Sequence, residues 1–328
     1  LTKNAKVPTY RAKRRLLILF ALFAALTYIG AVLATDAAKT REALLQLGWM
    51  GSLLVLALSA LNYVLRFYRW QSFLARLGRT LPTPLHFLYY LSGFAFTASP
   101  AKVGEAFRSS HLRGHGVAYS ESLAALFSER VLDLVAMCLL ASFMAFENVT
   151  YRSLVAGVSI VALALLGMAS HPYLSDWLQC FSDSSRHRLV RMPLATLADL
   201  LRSSRRLLQP RTAAFGLTIA LLSWGAEGLG LFLICQSLHV NVAASTAIGI
   251  YAMASLAGCV AFFMPAGIGG TEIVMTSLLL VQHTSLRTAV VATLLCRIAT
   301  LWFAVLIGVA ASLLVEFQMA LRPIRSTS

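Results

Sequence analysis

Charge is scarce in this chain. Asp, Glu, Lys and Arg make up 12% of its 328 residues, against roughly a quarter in soluble domains, and the shortage excludes an ordinary water-soluble fold. Acidic residues are scarcer still, 13 against 28 Lys and Arg, for a net charge of +15. In a soluble protein that balance would point to nucleic acid. Here the basic residues lie between long apolar runs instead of in one patch, so no nucleic-acid partner is expected. The five cysteines, Cys138, Cys180, Cys235, Cys259 and Cys296, include no CxxC pair and no Cys/His cluster. They read as small hydrophobic side chains and not as disulfide or metal sites. The histidines form no HExxH pattern, and no serine stands in a nucleophile-elbow motif. No catalytic residue, metal or cofactor is therefore expected.

What the chain has is apolar length: 58% hydrophobic residues and a mean hydropathy of +0.74. Six runs, roughly 16–35, 49–69, 119–146, 151–170, 213–237 and 285–316, reach the roughly 20 residues a helix needs to cross a membrane. The first is too long and too apolar for the core of a signal peptide and is read as a span. Two further runs, 85–99 and 244–264, each stop at a proline followed by glycine and glutamate, Pro100-Ala-Lys-Val-Gly-Glu105 and Pro265-Ala-Gly-Ile-Gly-Gly-Thr-Glu272. They read as broken or re-entrant helical hairpins. The expected fold is an all-α polytopic membrane protein with about six transmembrane helices and two such hairpins, one transmembrane domain over residues 1–328.

Lys3, Lys6, Arg11, Lys13, Arg14 and Arg15 place the N-terminal tail in the cytoplasm. Six crossings then bring residues 66–84, 101–118, a basic linker 171–212 and the C-terminal tail to the same side, which collects 22 of the 28 basic residues. The expected location is the cell inner (plasma) membrane, multi-pass, with both termini cytoplasmic. In the linker, Leu194, Leu197, Leu201 and Leu208 recur at near-helical spacing with Arg202, Arg205 and Arg206 between them. That pattern fits a helix at the headgroup level and also a solvated connector.

Two halves of the chain resemble each other. Gly93 stands seven residues before Pro100, as Gly258 does before Pro265; Glu105 precedes Arg130 by 25 residues, as Glu272 precedes Arg297. Repeat 1 covers about 49–146 and repeat 2 about 213–316. The first broken segment enters from the cytoplasm and the second from outside, so the repeats are inverted. Secondary transporters use this plan, with the substrate site near the midplane where the repeats meet.

Arg130 and Arg297 lie deep in their spans, where an arginine costs at least ~2.5 kcal/mol unless it faces a partner or a wet cavity. Glu129, Asp133, Glu105, Glu272 and Glu227 are candidate partners. Two readings fit. The pairs Glu105–Arg130 and Glu272–Arg297 pin each hairpin to the next helix, or the arginines hold an anionic group beside the helix N-termini that follow Pro100 and Pro265. Arginine suits phosphate because its planar fork donates two parallel hydrogen bonds and stays charged. Gly104, Gly269 and Gly270 allow close approach of backbone to a ligand. Tyr63, Tyr68, Trp70, Tyr89, Tyr90, Trp224 and Trp302 read as interface anchors or packing.

The stretches Arg66-Phe-Tyr-Arg69-Trp70, Pro100-Ala-Lys-Val-Gly104-Glu105-Ala-Phe-Arg108, Ser128-Glu129-Arg130-Val-Leu-Asp133 and Pro265 to Glu272, with Arg297, together resemble the lysylphosphatidylglycerol synthase transmembrane-region family, also called flippase-like domain proteins. The likeness runs over about residues 15 to 316. It implies movement of aminoacylated phospholipids or other lipid-linked groups between leaflets. The soluble aminoacyltransferase domain that follows the module in some members has no counterpart in this sequence, so a stand-alone form without lysyl transfer is expected. The expected function is a lipid flippase acting on an anionic phospholipid or a polyprenyl-phosphate-linked group by alternating access. Its candidate substrate-binding set is Arg130, Arg297, Glu105, Glu272, Glu129, Asp133, Gly104, Gly269, Gly270 and Glu227. Two alternatives stay open: an integral-membrane enzyme using Glu105 and Glu272 as acid and base on a lipid phosphate or lipid-linked sugar, and a non-transporting scaffold for a lipid-modifying enzyme.

Overall fold

The computed structural model describes residues 7–97, 108–147, 149–184, 188–260 and 269–321, and no strand occurs among them. Helix α1, Val7–Arg76, is interrupted at Gly48, whose φ of +66° lies outside the right-handed helical region and is open at little cost only to glycine. Among the described residues, three helical stretches are long and apolar enough to cross a membrane: Thr40–Arg76 of α1, Pro210–Ser237 (α8), and Leu286–Gln318. A fourth results if Val155–Met168 and Tyr173–Ser184, bent by 58°, count as one. The protein is therefore an all-helical membrane protein.

The Leu286–Gln318 stretch comprises α11 (Leu286–Arg297), a π turn (Ile298–Trp302) and most of α12 (Phe303–Leu321). The remaining elements are α2 (Thr83–Ser92) with a 3-10 turn (Gly93–Phe96), α3 (Arg108–Arg113), α4 (Tyr119–Glu147), α5 (Val149–Ser170), α6 (Pro172–Ser184), α7 (Arg188–Leu207), α9 (Ala244–Val260) and α10 (Gly270–Val281). With its 12 residues, α10 is about 18 Å long at 1.5 Å per residue, well short of a hydrocarbon core of roughly 30 Å.

Helices α1 and α8 run antiparallel. Val55 meets Gly230, the Asn62 amide donates to the Ser223 carbonyl, and Arg69 reaches the Gly216 carbonyl. Around this pair α4 packs along α9, while α12 packs along α2 and the 3-10 turn. The second contact is backbone against backbone: a Cβ on Gly308 would stand 2.0 Å from the Ala95 nitrogen. Gly228 also brings α8 close to α9, where a Cβ would stand 2.7 Å from the Ile248 Cα. One buried cluster of aliphatic residues, including Leu231, Ile250, Leu279 and Leu295, joins α8 to α11. A second, aromatic cluster holds Tyr63, Phe67, Trp70, Phe73, Tyr90 and Phe94. The exposed leucines Leu53, Leu54, Leu61, Leu306, Leu313 and Leu314 form apolar surface of the kind that faces lipid.

Two expectations change. Helix α1 continues to Arg76 instead of ending near residue 69, and Arg66, Arg69 and Arg108 are buried inside the bundle. They are not surface charges on the cytoplasmic face. The leucine-bearing linker forms α6 and α7, and α7 packs on both α6 and α4: Leu201 and Ala198 are buried in a cluster with Leu178 of α6 and Phe127 of α4, and the Ser204 hydroxyl approaches the Ala124 carbonyl of α4 at 3.4 Å. Part of its apolar face is thus spent on the protein, while Leu197 stays exposed.

Candidate functional site

Two polar clusters lie within these apolar helices. The first is built where α1, α3 and α4 meet. Arg69, fully enclosed, points Nη2 at Asp133 Oδ1 (2.7 Å), places Nε 3.6 Å from Glu129 Oε1, and donates from Nη1 to the Gly216 carbonyl at 3.3 Å. Arg108 donates from Nη2 to Glu129 Oε2 at 2.7 Å. Its guanidinium lies 3.6 Å from the centroid of the Trp70 ring and 4.8 Å from that of Tyr90. A guanidinium over an aromatic face gains a cation–π attraction that strengthens when water is removed. Trp70 is held in turn by its indole N–H, which donates to His86 Nε2 at 2.9 Å. Arg130 lies at the rim, its Nη2 3.7 Å from Asp133 Oδ2 and its side chain 31% exposed. Three arginines thus meet two carboxylates, and both acids are buried.

The second cluster surrounds a polar cavity of about 50 Å³ between α1, α8, α9 and α11. Arg66 enters from α1 and lies between two rings, 5.3 Å from the Trp224 centroid and 5.7 Å from Phe94. Arg297 enters from the end of α11. Glu227, midway along α8, accepts a hydrogen bond from the Tyr251 hydroxyl of α9. The Tyr63 hydroxyl closes one wall by donating to the Thr300 carbonyl at 2.9 Å. That carbonyl lies in the π turn directly after Arg297, and π turns inside α-helices occur frequently at functional sites. One water needs roughly 10–15 Å³ of such space, so the cavity has room for a few waters.

Arg297 is positioned from behind. Its Nε donates to Glu272 Oε1 at 2.7 Å, and Glu272 Oε2 accepts the Gly269 N–H at 2.7 Å. Glu272 is the third residue of α10, and its carboxylate folds back over the helix start. Gly269 takes a φ of +94°, which permits that return and resists any residue with a Cβ. The positive end of α10 is therefore satisfied by the chain's own carboxylate.

A family model described as the lysylphosphatidylglycerol synthase TM region matches residues 15–308. The chain belongs to that family. No protein of curated function matches it. The match to the lysylphosphatidylglycerol synthase transmembrane region takes in every residue of both polar clusters.

Of the residues expected from sequence, Arg297 and Glu227 line the cavity, with Glu272, Gly269 and Gly270 directly behind Arg297. Glu129, Arg130 and Asp133 belong to the other cluster, and Arg130 is not among the cavity's lining residues. Gly104 and Glu105 lie outside the described residues, and so does any Glu105–Arg130 pair. Sequence reasoning missed Arg66, Arg69 and Arg108 as site residues, and Tyr63 and Tyr251 with them. Their signal was present but ambiguous: arginines at a span's end look like ordinary topology-setting charges.

Proposed function

We propose that this protein moves an anionic phospholipid or a polyprenyl-phosphate-linked group between the leaflets of the cell inner membrane by alternating access. The observation that carries the reading is the cavity lined by both Arg66 and Arg297, together with Glu227 and Tyr251. Two guanidiniums converging inside an apolar bundle match a phosphate, while lipid chains remain in the bilayer. At about 50 Å³ the cavity is smaller than a lipid headgroup requires, so helix movement has to widen it before a headgroup enters.

The same reading includes six crossings, cytoplasmic termini and an inverted repeat. The packing supports the repeat. The long helix of the first half, α4, lies on the short α9 of the second, while α12 of the second lies on the short α2 and 3-10 turn of the first. Helices α1 and α8, which open the two halves, pack on each other. Arg130 then holds in the first half the place of Arg297 in the second, and engages phosphate when the site opens the other way. Glu272 has both oxygens engaged, by Gly269 and Arg297, which suits a positioning role better than acid–base chemistry.

Mass spectrometry of lipid that stays with the purified protein tests the assignment. Enrichment of phosphatidylglycerol or polyprenyl phosphate, lost in the Arg66→Gln/Arg297→Gln double variant, is expected. Zwitterionic lipid alone, retained equally by that variant, would contradict it.

A further inference from the structure

We propose that the paired helices α6 and α7 dock on the bilayer surface: the phosphate of an anionic phospholipid headgroup sits in a recess between Arg202, Arg205 and Arg206 of α7, and three aromatic side chains of α6 enter the lipid interface. The proposal goes beyond the transport reading and does not rest on it.

The recess carries the argument. It has a volume of about 500 Å³ and is lined by Arg202, Arg205, Arg206, Leu208, Gln209 and Pro210. That volume falls within the roughly 300–1,000 Å³ of small-ligand clefts, whereas the cavity at Arg66 and Arg297 holds about 50 Å³. No acidic side chain lines the recess. At about 100° of turn per residue, the three arginines share one flank of α7. Asp199 reaches Arg202 at 3.4 Å from an exposed position. Among the described residues, neither Arg205 nor Arg206 meets a carboxylate at ion-pair distance.

Depth in the membrane selects a lipid phosphate over a soluble anion. Pro210 both closes the recess and opens α8. The 28 residues of α8 make about 42 Å of helix, more than the hydrocarbon core of roughly 30 Å and matching the roughly 40–45 Å that includes both headgroup layers. The first turn of α8 therefore stands at headgroup depth, and the recess with it. The anions at hand there are the phosphates of an anionic leaflet. Packing keeps the recess in place, because Leu207 and Leu208 are buried in the aromatic cluster with Trp70 and Tyr90.

Helix α6 supplies the apolar half of the contact, and its side chains sort onto three faces. Ser175, Leu178 and Ser182 are buried, and the Ser182 hydroxyl donates to the Arg191 carbonyl of α7 at 3.0 Å. Tyr173, Trp177 and Phe181, each four residues apart, form a second face and are exposed by 71%, 50% and 54%. The Trp177 and Phe181 rings stack with their centroids 5.7 Å apart. Asp176 and Asp183 are exposed on a third face, turned from Trp177 by roughly 100–120°. Aromatic side chains uncovered by protein on one face, with the acids confined to another, are the layout of a helix lying in the plane of the interface. Helix α6 is also bent by 58° from Val155–Met168 of α5, which carries it off the line of a crossing and toward that plane.

A site this open exchanges its lipid during purification, so it is read by adding lipid back. The full chain in uncharged detergent is titrated with dioctanoyl-phosphatidylglycerol or dioctanoyl-phosphatidylcholine, and bound lipid is counted by native mass spectrometry. In the Arg66→Gln/Arg297→Gln background, saturable binding that prefers phosphatidylglycerol is expected to persist. Adding Arg202→Gln/Arg205→Gln/Arg206→Gln is expected to weaken it at least about tenfold, since each basic group at an anionic surface is worth about fivefold. The same triple change in the otherwise wild-type chain, made on exposed side chains, is expected to remove one bound lipid. Loss of binding already in the Arg66→Gln/Arg297→Gln background overturns the proposal and leaves the transport reading standing. Equal retention of the two lipids, or binding untouched by the triple change, overturns it as well. A second measurement follows Trp177 in vesicles of phosphatidylglycerol with brominated acyl chains. The fluorescence that Trp177→Phe removes is expected to be quenched by the bromolipid and shielded from acrylamide. Quenching by acrylamide alone would place α6 in water and overturn the docking.

Discussion

Arg69 of α1 and Asp133 of α4 meet at 2.7 Å, with the guanidinium wholly enclosed and the carboxylate nearly so. Taking both charges out of water is costly, and mutual attraction recovers that cost only when the remaining polar atoms are also satisfied. Here the Gly216 carbonyl accepts from Nη1 and Glu129 stands at ion-pair distance, 3.6 Å from Nε, while Arg69 Nε and Asp133 Oδ2 form no hydrogen bond, so the pair is only partly compensated. The pair ties α1, α4 and α8 together at one point. It fixes the frame against which the cavity side chains are set.

Breaking one side of this pair strands a buried charge. Asp133→Ala is expected to cost about 3–5 kcal/mol, seen as a clear loss of thermal stability in detergent. The double variant Arg69→Met/Asp133→Leu is expected to be more stable than Asp133→Ala alone. Additive losses in the double variant would show that the two residues are not coupled.

Gly308 is a contact that only glycine permits. A Cβ there would lie 2.0 Å from the Ala95 nitrogen and 2.5 Å from the Phe94 carbonyl carbon. Gly308→Ala should therefore push α12 off the 3-10 turn and destabilise the protein by about 1–3 kcal/mol. At Gly230 the nearest atom to a new Cβ is Val55 Cγ1 at 3.6 Å, an ordinary contact, and Gly230→Ala is expected to be neutral or slightly stabilising through helix propensity. Thermal unfolding of the two variants side by side checks both signs.

Trp70 acts as a platform for Arg108 and a donor to His86. Trp70→Phe keeps an aromatic face and loses the donor, an expected cost of about 1 kcal/mol plus some packing. Trp70→Ala also opens a large void in the aromatic cluster, for about 3–5 kcal/mol. Equal unfolding midpoints for the two variants would remove the platform role.

How much of this was legible in the sequence depends on the kind of signal. Helical character and membrane residence were, because long apolar runs leave no other way to satisfy the backbone in lipid. The pairing of Glu272 with Arg297 was too: a carboxylate at a broken segment and an arginine deep in the next span each need the other. The cavity was not. Arg66 and Arg69 close an apolar run, and a positive charge there has the same appearance whether it faces water or the core. Only the extension of α1 to Arg76 and the arrival of Asp133 from α4, 64 residues later, turn them inward. Tyr251 was equally silent, since a tyrosine in an apolar helix marks an interface, a packed core or a site with the same letter. Arg130 and Arg297 match in sequence yet sit in different surroundings, because the charges beside them come from helices that the repeat spacing does not reveal.

The central claim is that Arg66 and Arg297 hold a lipid phosphate in transit, and leaflet-sidedness of fluorescent phosphatidylglycerol in proteoliposomes tests it most directly. Wild type is expected to move the lipid between leaflets, and Arg66→Gln and Arg297→Gln, verified as folded, to do so at least about tenfold more slowly, as loss of a charge-assisted hydrogen bond of about 1.5–3 kcal/mol implies. Folded variants that translocate as fast as wild type would contradict the account.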